Sequence, residues 1–148
     1  MYKNEELFQL IPQRSPIVMI DALWSVRDDG AETGLSVKPD NIFVLDGFLR
    51  EPGLIEHVAQ SAAAFSGYST HTKGLPPRLG YIGEVKKCEI HKLPRTGEHL
   101  RTQLQVLGEA AGITLMSASS YILQGEQDII ENGTTPAMEC LIKIFLKD

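Results

Sequence analysis

Most of the chain follows a hydrophobic pattern that predicts β-strands. Apolar residues alternate with polar ones or form short apolar runs, and Gly, Pro, Asn or Asp separates one run from the next. Alternation with a period of two is typical of a strand with one buried face. The predicted strands span residues 17–26, 31–37, 79–90, 99–107, 113–124 and 137–146. Asp28-Asp29-Gly30 predicts a turn between the first two, a short helical turn over 5–10 precedes them, and a loop is predicted over 73–77.

One internal segment departs from this pattern and predicts a long helix. It opens with Pro52 and Gly53 and continues through small and apolar residues to a polar tail at 69–72. Two strands, one helix and four further strands differ from the alternating order of a doubly wound sheet. The order favours an α+β fold, with an antiparallel sheet wrapped around one long central helix. A single domain spanning residues 1–148 is expected.

The helix carries one charged residue where its neighbours are apolar. Glu56 and Gln60 are four residues apart, so their side chains stack on one face of the helix. A carboxylate on such an apolar helix is costly to bury unless it has hydrogen-bonding partners or a function. Glu56 is therefore the first candidate for chemistry. The alternative is that it pins the helix to a neighbouring strand or to a second subunit.

Composition narrows the classes of partner. The 148 residues carry a net charge of −5, which argues against the basic surface that nucleic-acid binding needs. No apolar run approaches the roughly 18 residues that span a bilayer, so no membrane partner is expected. The polar N-terminus lacks the apolar core of a signal peptide, so we expect a cytoplasmic protein. The two cysteines and four histidines show no metal-ligand spacing, and no metal site is expected.

Four segments of the chain stand out as motifs. Residues 10–21 read LIPQRSPIVMID and residues 56–60, on the predicted helix, read EHVAQ. Residues 80–88 read GYIGEVKKC and residues 94–100 read PRTGEHL. In the same order they resemble the LLPHRYPFLLVD opening, the EAxAQ helix segment, the third strand and the PxxGDxL turn of the 3-hydroxyacyl-[acyl-carrier-protein] dehydratase family. The resemblance covers residues 7–124.

The resemblance implies a hotdog fold with its site at a dimer interface. There a tunnel receives the acyl chain on its phosphopantetheine arm, and a histidine removes the α-proton. A helix carboxylate of the other subunit helps the β-hydroxyl leave as water, while a backbone N–H polarises the thioester carbonyl. Carried over, Glu56 matches the carboxylate, Gln60 its helix neighbour, and Gly53 or Leu54 the N–H donor. The resemblance thus implies that Gln60, Gly53 and Leu54 bind the substrate.

The same resemblance implies the partners. They are an acyl carrier protein or a coenzyme A thioester, whose phosphopantetheine arm takes the place of a permanently bound cofactor. The assembly would be a homodimer, or a heterodimer with a related hotdog subunit.

The catalytic histidine of the family is missing from its expected loop. The family's GHFP segment maps near residues 46–49, which read DGFL, and the connection to Glu56 is shorter than usual. Asp46 is the candidate replacement, because a buried carboxylate can act as a base near neutral pH. His57 directly follows Glu56 and points about 100° away from it, so we expect it at the core edge or an interface.

Three functions remain open on the sequence. The leading one is a dehydratase-like protein acting on 3-hydroxyacyl thioesters in a fatty-acid, polyene or polyketide-type pathway. In lacking the histidine it resembles the accessory dehydratases of aryl-polyene or pigment pathways. The second is an acyl thioesterase in which Glu56 activates water or attacks the thioester. The third is an inert partner subunit of a histidine-bearing dehydratase.

Overall fold

The strands and the long helix follow the predicted order, with three short strands added. The computed structural model describes residues 1–74 and 79–147, so the last part of the predicted loop, residues 75–77, lies outside the described residues. A 3₁₀ helix at Asn4–Gln9 and one α-helix, α1, at Glu51–Thr72 accompany the strands. The strands are β1 Tyr2–Lys3, β2 Ala22–Arg27, β3 Gly30–Ser36, β4 Val44–Leu45, β5 Phe48–Leu49, β6 Leu79–Ile90, β7 His99–Ala110, β8 Ile113–Leu123 and β9 Met138–Lys147.

Seven strands form one antiparallel sheet in the order β1-β2-β3-β7-β8-β9-β6. Tight hairpins fix the register. The β7–β8 turn at Ala111 and Gly112 has positive φ at both residues, 52° and 79°, as a two-residue hairpin with the twist of its strands requires. The strands β4 and β5 form a separate hairpin, which leads directly into α1.

The start of α1 follows from its sequence. Arg50 is extended, with φ −82° and ψ 167°, and Pro52 lies in the first turn, where a missing N–H leaves no helical hydrogen bond unmade. At Gly67 the helix packs closely against the backbone of Leu10, whose carbonyl oxygen would lie 1.9 Å from an added Cβ.

The hydrophobic core lies between α1 and the sheet. Leu54, Val58 and Ala62 of the helix belong to one buried cluster that also includes residues of the strands and of the N-terminal segment. Its largest buried members include Leu7, Leu10, Ile11, Leu23, Leu100, Leu104, Met116 and Met138. A long helix packed on a seven-stranded antiparallel sheet is the hotdog fold that the resemblance implies. No helix in the described part of the chain is long and apolar enough to cross a membrane.

The predicted strand 17–26 is shorter in the structure. Only its second half pairs, as β2, which begins at Ala22. Residues 17–19 instead bind side chains of α1, and this brings them to the candidate site.

Candidate active site

Glu56 and Gln60 form a hydrogen-bonded pair on α1. Glu56 is half-buried, whereas Gln60 is completely buried. The Nε2 atom of Gln60 lies 2.8 Å from Oε1 of Glu56, to which it donates. The spacing of four residues had predicted that the two side chains stack, and the structure brings them into direct contact.

Two backbone contacts fix the orientation of the Gln60 amide. The N–H of Met19 donates to its Oε1 at 2.6 Å, and its Nε2 donates to the carbonyl of Ile17 at 2.8 Å. A backbone N–H can only donate and a carbonyl can only accept, so the amide cannot be turned over. Its NH₂ group must therefore face Glu56. Of the two carboxylate oxygens of Glu56, Oε1 is the one that accepts from this amide.

Contact of Gln60 with the substrate stays a prediction. In the chain by itself its side chain is completely buried, and both ends of its amide are hydrogen-bonded to other residues of the chain. These bonds orient Glu56 and hold residues 17–19 against the helix.

Gly53 and Leu54 differ from the expectation that one of them offers a free N–H. Both N–H groups donate to the carbonyl of Arg50, at 2.9 and 3.2 Å. Polarising a thioester carbonyl would require one of them to leave that partner first. Gly53 is needed for packing, because an added Cβ would lie 2.7 Å from Leu49 Cδ1 and from Phe43 Cβ.

Asp46 lies in the turn of the β4–β5 hairpin and is exposed. Its φ of 53° and that of Gly47, 82°, are the positive values that a two-residue hairpin turn requires. The burial that the proposed base role needs is absent in the chain by itself. Catalysis by Asp46 stays a prediction, and it depends on a second subunit covering the hairpin.

The four histidines all lie within the described residues, and each has contacts elsewhere. His71 packs edge-on against Tyr2, about 22 Å along the helix from Glu56. His91 Nε2 lies 3.6 Å from two glutamate carboxylates, and His99 Nδ1 lies 2.9 Å from Ser36 Oγ. The fourth histidine, His57, points into the core.

His57 is completely buried, deeper than the core edge that was expected for it. Its Nδ1 atom lies 2.6 Å from the carbonyl oxygen of Met19, and its Nε2 lies 2.8 Å from Thr102 Oγ1. Burial lowers the pKa of His57 to about 4, although the bond to Met19 acts in the opposite direction. This contact was not predicted from the sequence. Thr102 was the available signal, because a hydroxyl residue on the inward face of a predicted strand needs a polar partner.

Three exposed side chains on neighbouring strands could hold a metal ion. Glu89 and His91 lie at the end of β6, and Glu139 faces them from β9. Their ligand atoms lie within 4.8 Å of one another. Spacing along the sequence could not predict this group, because strand pairing brings Glu139 to the other two. The group belongs to the β6–β9 pair and not to the helix that carries Glu56.

Two surface cavities lie beside residues of the N-terminal segment and of α1. One, of about 400 Å³, is lined by Met19 and Asp21 among others. Asp21 accepts a hydrogen bond from the N–H of Ser36 at 2.7 Å, and burial raises its pKa despite that bond. The other cavity, of about 520 Å³, lies at the far end of α1 beside Ser69. Glu56 is not among the residues that line these two cavities.

Curated proteins similar to this chain are 3-hydroxyacyl-[acyl-carrier-protein] dehydratases named FabZ. The one from Desulfotalea psychrophila is 30% identical over 123 residues, which cover 78% of this chain and 81% of that protein. The one from Lactiplantibacillus plantarum is 27% identical over 128 residues, covering 79% and 82%.

Solved structures share the fold. The dehydratase heterocomplex ApeI:P from Xenorhabdus doucetiae matches with a TM-score of 0.82 at 17% identity, over 96% of this chain and 91% of that chain. A hypothetical thioesterase with coenzyme A from Streptococcus pneumoniae matches with a TM-score of 0.59 at 10% identity, over 85% and 84%. The family model described as ApeP-like, ApeP dehydratase, matches residues 5–135. The chain therefore belongs to the ApeP-like dehydratase family.

Proposed function

We propose that this chain acts in the dehydration of 3-hydroxyacyl thioesters as one subunit of a mixed hotdog complex. It supplies the carboxylic acid, Glu56, and a related subunit supplies the histidine. One observation carries the proposal: Glu56 is oriented by a buried amide, while all four histidines of the chain have contacts elsewhere. The site thus holds half of the acid–base pair that the reaction needs.

The geometry of Glu56 suits the acid role. The histidine of the partner takes the α-proton, the C–O bond at the β-carbon breaks, and the α,β double bond forms. Glu56 gives the proton on Oε2 to the leaving hydroxyl, which departs as water. Gln60 donates to Oε1, so the acidic oxygen is the one turned away from the amide. The proton taken from the α-carbon returns to Glu56 through solvent to reset the pair.

The substrate and the partner rest on similar proteins. The curated relatives are named for 3-hydroxyacyl groups on an acyl carrier protein, and the ApeI:P structure is a heterocomplex of dehydratase chains. We therefore propose a 3-hydroxyacyl group on a carrier protein as the substrate, in a fatty-acid or polyene-type pathway. A coenzyme A thioester, which carries the same phosphopantetheine arm, is the alternative donor.

Hydrolysis of the thioester is less well supported. The thioesterase match stands at 10% identity and shows the fold alone. A mechanism in which Glu56 activates water needs no histidine, so the two reactions differ in whether a partner is required. That difference provides the test.

The test compares the purified chain alone with a mixture containing a histidine-bearing hotdog dehydratase encoded beside it. A 3-hydroxyacyl thioester is added, and enoyl absorbance and free thiol are followed together. We expect enoyl product from the mixture and not from the chain alone. Free thiol from the chain alone would support hydrolysis, and a stable mixed complex without added activity would support an inert subunit.

Glu56→Gln tests the residue itself. In the mixed complex it should lower kcat about 10²- to 10⁴-fold, the usual contribution of a positioned acid or base. The control is Glu51→Gln, an exposed carboxylate in the first turn of the same helix, which should leave kcat within about twofold. An unchanged rate in Glu56→Gln would overturn the assignment.

A further inference from the structure

A chain of three hydrogen bonds crosses the core from the sheet to residues 17–19. Ser120 Oγ lies 2.7 Å from Thr102 Oγ1, which lies 2.8 Å from His57 Nε2. His57 Nδ1 lies 2.6 Å from the carbonyl oxygen of Met19. All four residues are buried, with at most 1% of their surface exposed. Water therefore has little access to any of these bonds.

Only one arrangement of protons satisfies this chain. The Met19 carbonyl can only accept, so Nδ1 of His57 must carry a hydrogen. Burial lowers the pKa of His57 to about 4, so the ring is neutral near pH 7 and its Nε2 must accept. Thr102 then donates to His57 and accepts from Ser120. The imidazole is thus fixed in one tautomer and one orientation.

The backbone of Met19 is held at both of its polar groups. His57 binds its carbonyl, and Oε1 of Gln60 accepts from its N–H at 2.6 Å. Gln60 is the residue that donates to Glu56. A movement of Met19 would pull on the Gln60 amide and change the direction of its NH₂ group.

We propose that His57 is a positioning residue for Glu56: the fixed imidazole holds Met19, Met19 holds Gln60, and Gln60 orients the carboxylate. The consequence for catalysis rests on the proposed function of Glu56. The hydrogen-bonded connection itself does not, because it is a property of the folded chain. His57 does not touch the reacting atoms, since it lies wholly inside the core.

Two substitutions separate positioning from packing. An Asn side chain carries its NH₂ group about as far from Cα as Nδ1 of histidine, so His57→Asn keeps a donor for Met19. A Gln side chain carries its amide at about the distance of Nε2, so His57→Gln reaches Thr102 and leaves the Met19 carbonyl unpaired. If His57 only fills space, the two variants should behave alike. If it positions Met19, His57→Asn should keep the wild-type behaviour and His57→Gln should lose it.

The first measurement uses NMR on the folded chain and no substrate. In the wild type we expect the imidazole with a protonated Nδ1 and an unprotonated Nε2, and slow solvent exchange of the Gln60 side-chain amide protons. His57→Asn should keep this slow exchange. In His57→Gln we expect these protons to exchange at least about tenfold faster, because the loss of the bond to Met19 makes local opening around Gln60 easier. A protonated Nε2, or equal exchange in the two variants, would overturn the proposal.

The second measurement uses the mixed complex. His57→Gln should lower kcat about 10- to 100-fold with KM within about twofold, because the carboxylate is misplaced while the substrate-binding surface is intact. His57→Asn should recover most of that loss. A fall in kcat that is equal in both variants would assign His57 to packing alone.

Substitutions at Thr102 provide a second route if the His57 variants do not fold. Thr102→Val keeps the shape and removes the hydroxyl that donates to Nε2, whereas Thr102→Ser keeps the hydroxyl. Faster exchange of the Gln60 amide in Thr102→Val, restored in Thr102→Ser, supports the proposal, and no difference between them contradicts it. Glu56→Gln could prove fully active while exchange of the Gln60 amide protons still differs between the His57 or Thr102 variants. In that case the proposed function fails, and the hydrogen-bonded connection from His57 to Gln60 stands.

Discussion

The amide of Gln60 is shared between Glu56 and the backbone segment that faces the helix. Its Nε2 atom donates to Glu56 Oε1 and to the carbonyl of Ile17, both at 2.8 Å. One planar group therefore sets the direction of a candidate catalytic carboxylate and the path of residues 17–19. Orientation of the site and packing of the core depend on the same few atoms.

Removing this amide should be costly. Gln60→Leu leaves the N–H of buried Met19 without a partner, at a cost of about 1–3 kcal/mol, and removes the hydrogen bond of the partly exposed Ile17 carbonyl. We expect the free energy of unfolding, measured by urea denaturation, to fall by about 2–5 kcal/mol. Gln103→Leu, an exposed position on β7, is the control and should change it by less than about 0.5 kcal/mol. A loss below about 1 kcal/mol in Gln60→Leu would contradict the hydrogen-bond geometry.

The stability of the chain should fall in acid because of His57. Burial lowers its pKa to about 4 in the folded state, against 6.5 in the unfolded chain. Between these pH values the unfolded chain binds a proton that the folded chain does not, so the free energy of unfolding decreases as the pH falls. At about 1.4 kcal/mol for each pH unit, the contribution lost by pH 4 is roughly 3 kcal/mol.

The measurement is urea denaturation from pH 7.5 to pH 4 of the wild type and His57→Asn. The variant lacks the titrating group, so the difference between the two curves isolates His57 from other groups that titrate in this range. The wild-type stability should fall more steeply below pH 6.5. Parallel curves would show that the imidazole is not held neutral.

Asp46→Asn tests the candidate replacement base. Asn tolerates a positive φ as Asp does, so the β4–β5 turn should keep its conformation. Because Asp46 is exposed in the chain, we expect dehydration by the mixed complex to stay within about threefold of wild type. A loss comparable to that of Glu56→Gln would instead assign the base role to Asp46 and remove the need for a partner's histidine.

Gly67→Ala tests the contact between α1 and the N-terminal segment. The added Cβ would lie 1.9 Å from the carbonyl oxygen of Leu10, which is backbone and cannot rotate away. We expect a loss of about 2–4 kcal/mol in the free energy of unfolding. Gly108→Ala is the matched control, because nothing lies within 4 Å of its Cβ position. Equal stability of the two variants would show that the helix can shift without cost.

The order of the elements could be predicted from the sequence because burial repeats along the chain. The period-two pattern predicted a strand at residues 79–90, which is β6, and the apolar segment after Pro52 predicted the helix α1. The pattern failed over residues 17–21. Residues 17–20 are apolar like those of a strand, but the backbone groups of Ile17 and Met19 bind Gln60 and His57 of α1. A local pattern cannot show a partner some 40 residues away.

The site was predictable only where its geometry is local. Glu56 and Gln60 lie on one helix face, and the spacing of four residues gives their contact. The role of His57 could not be predicted, because it depends on Thr102 and Ser120, which the sheet brings beneath the helix from two other strands.

The hydrogen bonds between Ser120, Thr102 and His57 also constrain how this core can change over evolutionary time. A hydrophobic residue at position 57 would remove the acceptor at the end of this chain, so one of the two hydroxyl protons of Thr102 and Ser120 would be buried without a partner, which is costly. Replacing all three by apolar residues together would avoid that cost. Positions 57, 102 and 120 should therefore covary among related chains, polar together or apolar together, and chains of the second kind would need another way to hold the backbone at position 19.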